Sequence, residues 1–212
     1  MINSISSASE YRPKSFNDMI GQDAIVKTLN NAIKNDNIPQ ALLFCGPRGV
    51  GKTSCARILA KTINNLEDDF EYNIFELDAA SNNSVEDIRN ITDQIRIPPQ
   101  SGRFKVYIID EVHMLSNQAF NAFLKSLEEP PEHVVFILAT TEKNKILPTI
   151  ISRCQIYDFN RIKELEIVEY LNQICKKENI DFELPALNLI AKKSDGSMRD
   201  SLTILDLSLI HI

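Results

Sequence analysis

The sequence is poor in the features that mark membrane, secreted or strongly nucleic-acid-coating proteins. Its longest uninterrupted apolar run is residues 134–139 (VVFILA), far below the roughly 20 residues a membrane-crossing helix needs. No basic segment followed by an apolar stretch opens the chain, so no secretory signal is read. There is no positive excess: 23 Lys and Arg stand against 29 Asp and Glu, a formal net charge of −6. That balance argues against wholesale coating of nucleic acid or of an anionic membrane, and leaves room for a local basic patch. Cysteine is sparse, and no two of Cys45, Cys55, Cys154 and Cys175 stand in C-x-x-C spacing. Zinc needs clustered ligands, so none is expected. Three of these cysteines sit among apolar residues, which suits reduced, buried thiols and a cytoplasmic location. Glycine is scarce too, with six in 212 residues. What is present is ordinary for a globular protein: 43% hydrophobic and 25% charged residues. A chain of this length buries roughly 70% of its unfolded surface, enough for a sizeable core with a small satellite.

Residues 1–10 carry four serines and little to bury, and read as a flexible leader. A helical pattern opens at Asp23, with Ile25, Leu29 and Ile33 on one face. Beyond Pro39 the periodicity changes. Residues 41–45 (ALLFC) form a continuous apolar run, as in a strand covered on both faces. A glycine-rich turn at 46–53 and a helix at 54–64 follow. Further strands are predicted at 73–79, 105–110, 134–141 and 154–159. Helices with apolar faces lie between them, closed by Pro98-Pro99 and Pro130-Pro131. This alternation predicts a doubly wound α/β domain with a mostly parallel sheet over residues 11–160. From 161 to 212 strand patterns cease. Helices at 163–178, 184–193 and 197–210 form a small helical unit, the last opened by a capping box of Ser197 and Asp200. That helix carries no Gly or Asn cap before Ile212, so the polypeptide is expected to continue past it.

Three of the six glycines fall in one octapeptide, Gly46-Pro47-Arg48-Gly49-Val50-Gly51-Lys52-Thr53, which matches G-x-x-x-x-G-K-S/T. Backbone amides must turn inward around a phosphate there, and side chains would block the approach. Lys52 can reach the β and γ oxygens, Thr53 can place its hydroxyl on Mg²⁺, and the helix through Ser54 points its positive end at the same phosphates. The required context, a buried strand before and a helix after, is present. The phosphates of a nucleotide, with Mg²⁺, are therefore the expected ligands.

Residues 106–111 (VYIIDE) set two carboxylates at the carboxyl end of a buried strand, the edge that faces the ligand crevice in such folds. Asp110 would hold Mg²⁺, directly or through water. Glu111 would orient and deprotonate an attacking water. An adjacent Glu favours a hydrolase over a switch or a kinase. Thr140 and Thr141 end the next strand on the same edge, and pattern alone does not choose between them. Two arginines remain: Arg153 just before the fifth strand, and Arg199 in the first turn of the last helix. There Arg199 opposes the helix dipole unless an anion partners it. A surface charge pair is the plainer account of each.

The stretches GPRGVGKT, VYIIDEVH, LEEPPEHVVFILATTE, SRC and GSMRD together resemble the AAA+ clamp-loader ATPases, over about residues 11–207. The resemblance implies an α/β sheet followed by a three-helix lid, with a carboxyl-terminal collar beyond this sequence. It makes Arg153 an arginine finger acting in trans on a neighbour's ATP, Arg199 the lid's arginine acting in cis, and Thr141 the γ-phosphate sensor. It places Tyr11, Arg12, Ile20 and Gly21 near the adenine and ribose. Many members carry a four-cysteine zinc module after the phosphate-loop helix. Residues 62–72 have no cysteine here, so zinc is not carried over. The implied partners are other clamp-loader subunits and further copies of the chain, a sliding clamp, primed DNA, and a polymerase core or helicase through carboxyl-terminal regions. The implied task is loading the clamp onto primed DNA at the expense of ATP. A nucleotide-binding scaffold and another AAA+ DNA motor, such as one for Holliday junctions, are the rival readings. Phe120, Phe123 and Leu127 read as core rather than as a clamp-binding surface.

Overall fold

The computed structural model describes residues 6–65, 73–82, 84–99 and 102–210. Helix α1 (Ser7–Glu10), a 3₁₀ turn at Phe16–Asp18 and helix α2 (Asp23–Lys34) precede the sheet. Strands and helices then alternate: β1 (Ala41–Cys45), α3 (Lys52–Asn64), β2 (Ile74–Asp78), α4 (Val85–Ile95), β3 (Lys105–Asp110), α5 (Asn117–Glu128), β4 (Val134–Thr140), α6 (Pro148–Ile151) and β5 (Gln155–Asp158). Helices α7 (Glu164–Lys177), α8 (Leu184–Lys193) and α9 (Met198–Ile210) close the chain.

The five strands pair in parallel in the order β2-β3-β4-β1-β5. This is the doubly wound α/β class that the alternation predicts. Each central strand is apolar on both sides because each side is covered. Leu42 and Phe44 of β1 join Leu29 of α2 and Cys55 and Leu59 of α3 in one core. Leu43 and Cys45 point the other way, into a second core with Ile88 of α4 and Phe123 of α5. Phe123 meets Phe136 of β4 edge-on, ring centroids 5.0 Å apart, which places both in the core, as expected for Phe123. β2 pairs with β3 alone and is only partly buried, as befits an edge. The register aligns Cys45 with Thr140, and Asp78 with Asp110. Parallel strands in register therefore deliver the segments after β1, β3 and β4 to one edge.

A third apolar cluster, with Ile167, Leu171, Leu187, Leu202 and Leu205, holds α7, α8 and α9 together. Ala8, Tyr11 and Ile20 pack on it. The start of the chain thus differs from the flexible leader expected for residues 1–10, of which 1–5 lie outside the described residues. The Ser7 backbone N–H donates to Asp206 Oδ2 of α9 at 2.9 Å, and the Tyr170 hydroxyl of α7 donates to the Tyr11 carbonyl at 3.2 Å. Asp206, together with the packing of Ala8, fixes this helical turn, which has no apolar stripe of its own. Half of the Ser197–Asp200 cap is seen, the Asp200 N–H donating to Ser197 Oγ at 3.2 Å. The last two residues also lie outside the described part.

Candidate nucleotide site

The Gly46 N–H donates to the Thr140 carbonyl at 3.2 Å, anchoring the phosphate loop to β4. Gly46 runs at φ 150°, and a Cβ there would lie 2.4 Å from the Phe159 carbonyl oxygen, so only glycine fits. Gly49 and Gly51 take left-handed conformations, φ 75° and 99°. Helix α3 starts at Lys52, two residues earlier than the pattern indicates, because left-handed Gly51 turns the chain straight into it. Lys52 is 6% exposed. Its ammonium donates to the Gly46 and Pro47 carbonyls at 2.8 and 2.7 Å, which fixes the cation at the loop mouth. Burial lowers its pKa from the usual lysine value, and the negative charges of Glu111 and Asp110 oppose that fall.

Thr53 Oγ1 donates to Asp110 Oδ2 at 2.6 Å. Two oxygen donors from α3 and β3 thus stand side by side at the loop, the hard-ligand set that suits Mg²⁺. Glu111 follows in a left-handed conformation, φ 47°. Its Oε2 accepts from the Thr141 N–H at 3.2 Å and from Thr141 Oγ1 at 3.0 Å. The two threonines are therefore distinct. Thr141, one residue past the end of β4, faces Glu111. Thr140 is fully buried, its Oγ1 3.0 Å from His113 Nδ1 and accepting from the Glu142 N–H at 3.0 Å.

A cavity of about 100 Å³ opens beside these groups. The loop lines it from Arg48 to Ser54, together with Asp110, Glu111 and Arg199. Apolar walls come from Met19, Ile20, Ile162, Met198 and Leu202, with Tyr11 and Arg12 at the side. Gly21 lies in an adjoining outer cleft of about 550 Å³ that shares Tyr11, Arg12 and Ile20. Gly46 and Pro47 lie outside the lining and act through their carbonyls. Arg12 is crowded: burial, then the charges of Arg57 and Arg199, lower its pKa. Arg153 lines neither cavity. It pairs with Glu128 Oε1 at 2.8 Å and donates to the Thr149 carbonyl at 2.6 Å.

Sequence reasoning missed three features of this site. The Met198 N–H, at the start of α9, donates to the Gly49 carbonyl at 3.0 Å, tying the last helix to the phosphate loop. Asp18 lines the cavity, its carboxyl held below the ordinary range chiefly by the Ser15 hydroxyl. His113 touches Glu111 and Glu142 at 3.4 and 3.3 Å. Only the position of His113, two residues after Glu111, signals it in the sequence.

Compared with known families, residues 21–74 and 69–163 match the model described as DNA polymerase III, delta subunit, and residues 166–211 match the DNA polymerase III clamp loader subunit, ATPase lid domain. The chain belongs to the DNA polymerase III clamp-loader family. Within this clamp-loader family it is 48% identical to DNA polymerase III subunit tau of Bacillus subtilis over 92% of the chain and 38% of that protein. It is 46% identical to subunit gamma of Buchnera aphidicola subsp. Baizongia pistaciae, over 93% of the chain and 58% of that protein. For subunit tau of Escherichia coli the identity is 43%, over 94% and 34%. The chain thus spans between about a third and three-fifths of these relatives. The fold is also similar to that of the RuvB Holliday junction branch migration motor of Thermotoga maritima. That structure has TM-score 0.73 and 24% identity, and the match covers 91% of this chain and 63% of that one. At that identity the likeness concerns the fold alone. Among the described residues no helix is long and apolar enough to cross a membrane.

Proposed function

We propose that this chain is an ATP-hydrolysing motor subunit of a bacterial clamp loader, which uses ATP to place a sliding clamp on primed DNA. One observation carries the proposal: the phosphate loop, the Thr53–Asp110 pair, Glu111 with Thr141, and Arg199 all converge on one sheet edge. Lys52 and Arg199 would neutralise the β- and γ-phosphates, and the loop amides with the start of α3 would hold them. Thr53 and Asp110 would hold Mg²⁺, which supplies charge neutralisation to the phosphates when bound. Glu111 would take a proton from the attacking water, and Thr141 would hold the carboxylate and sense the γ-phosphate. Tyr11, Arg12, Ile20 and Gly21 would flank the adenine and ribose. Arg153, exposed and outside the chain's own cavity, would complete a neighbouring subunit's site. Other clamp-loader subunits, further copies, and a polymerase core or helicase joined through carboxyl-terminal regions would be its partners in the cytoplasm.

The test is steady-state ATP turnover of the full-length protein assembled with its partner subunits, with and without clamp and primed DNA. Glu111→Gln is expected to lower turnover by about 100-fold or more, the usual worth of a general base, while leaving nucleotide binding in place. Unchanged turnover would favour a nucleotide-binding scaffold instead.

A further inference from the structure

The described residues place one buried imidazole at this edge that faces neither cavity. His113 sits in the 3₁₀ turn Val112–Met114, directly after Glu111. The turn is closed by the Met114 N–H donating to the Glu111 carbonyl at 2.8 Å and is anchored by fully buried Val112. This turn folds the imidazole back over the end of β4. Its side chain is 6% exposed, with Nδ1 3.4 Å from Glu111 Oε2 and Nε2 3.3 Å from Glu142 Oε1. Nδ1 also lies 3.0 Å from Thr140 Oγ1. Glu142 is held from outside by Lys145 at 2.9 Å. An apolar side chain would fill this space without the desolvation that a buried polar ring costs. Nδ1 is instead hydrogen-bonded to Thr140, and the ring lies between the carboxylates that follow two strand ends, Glu111 and Glu142.

We propose that His113 is a positioning residue, bridging Glu111 to the end of β4 so that the Glu111 carboxylate stays seated against Thr141. A glutamate side chain has three free torsions, and one seated by Thr141 alone would sample other rotamers. Nδ1, hydrogen-bonded to Thr140 and 3.4 Å from the same Glu111 oxygen, walls that carboxylate in against Thr141 at the end of β4. His113 lines no part of the cavity, so it acts through Glu111 rather than on the nucleotide. The proposal rests on the reading of Glu111 as the proton acceptor.

The experiment measures kcat and KM for ATP, and equilibrium binding of a fluorescent ATP analogue, for the full-length protein in its assembled complex. His113→Leu is expected to lower kcat roughly 10- to 100-fold, the scale of loss from a small displacement of a reacting group. KM and analogue binding should stay within about twofold of the parent, since uniform binding is untouched. His113→Asn, which keeps a polar atom near the Nδ1 position, should recover most of the rate, and His113→Gln should not. If the leucine variant fails to fold, the contrast between Asn and Gln decides. In a Glu111→Gln background the His113→Leu change should cost nothing further, because its route of action is gone. Parent-like kcat in His113→Leu, equal rates for Asn and Gln, or additive losses in the double variant would each overturn the positioning role. A fully active Glu111→Gln protein would instead remove the general-base reading on which it rests.

Discussion

At the scale of single residues, burial decides which side chains are free to react. Burial pushes the Cys45 thiol up to about 11 and those of Cys55 and Cys154 to about 12, from an ordinary 9.0. Cys175 is raised for the same reason. All four cysteines are free. At pH 8 the native protein should therefore be alkylated slowly by iodoacetamide, Cys154 first because it is only half-buried, and all four quickly once unfolded. Mass mapping of the labelled sites checks this, and fast native labelling of Cys55 would contradict the packing around α3. The same shifts act on stability. A thiol whose folded pKa lies above its unfolded value favours the fold fully below pH 9, and that contribution drains away as pH climbs from 9 towards 12. Urea midpoints should accordingly fall between pH 8 and pH 10 by more than in a protein with exposed thiols.

At the scale of elements, the contact between the phosphate loop and α9 leaves no room for a side chain at Gly49. Gly49 has φ 75°, and a Cβ on it would lie 2.0 Å from Ser197 Oγ and 3.2 Å from the Arg199 Cβ. Gly49→Ala should cost roughly 1–3 kcal/mol from the left-handed backbone alone, with a further loss from wedging α9 off the loop. Thermal melts check the sum. Adding Ser197→Ala should restore part of the second loss and none of the first. Much of this level was legible in the amino-acid pattern. β1, β3 and β4 read as strands because both faces are covered and their apolar runs are continuous. The phosphate loop was readable because glycine is scarce elsewhere and concentrated there. Helix α1 was not, since Ser7-Ala8-Ser9-Glu10 has no apolar stripe and owes its place to Asp206 and to packing on α9. Nor was the role of Thr141 separable from that of Thr140 by pattern. That distinction comes from where β4 stops: Thr140 ends the strand and turns inward, while Thr141 is released to face Glu111. A lone histidine after two acids likewise says nothing of the turn that buries it.

At the scale of the molecule, the sheet edge gathers its groups from within one chain, and Arg153 stands apart. It is held by Glu128 and by the end of α6, outside both cavities. If it serves a neighbour, complexes built from equal parts Arg153→Ala and Lys52→Ala chains should keep some turnover at boundaries that pair an intact Lys52 with an intact Arg153. A trans arginine is typically worth 10³ to 10⁵ in rate, so the isolated chain at high dilution should turn over ATP very slowly. Equal activity of dilute chain and assembled complex would place the missing charge in cis.

The hydrogen bond from Met198 to the Gly49 carbonyl makes a natural clock. Its amide proton is trapped only while the helical cap rests on the loop. Deuterium uptake at that one position would report any lifting of that cap, with no label or substitution to disturb it.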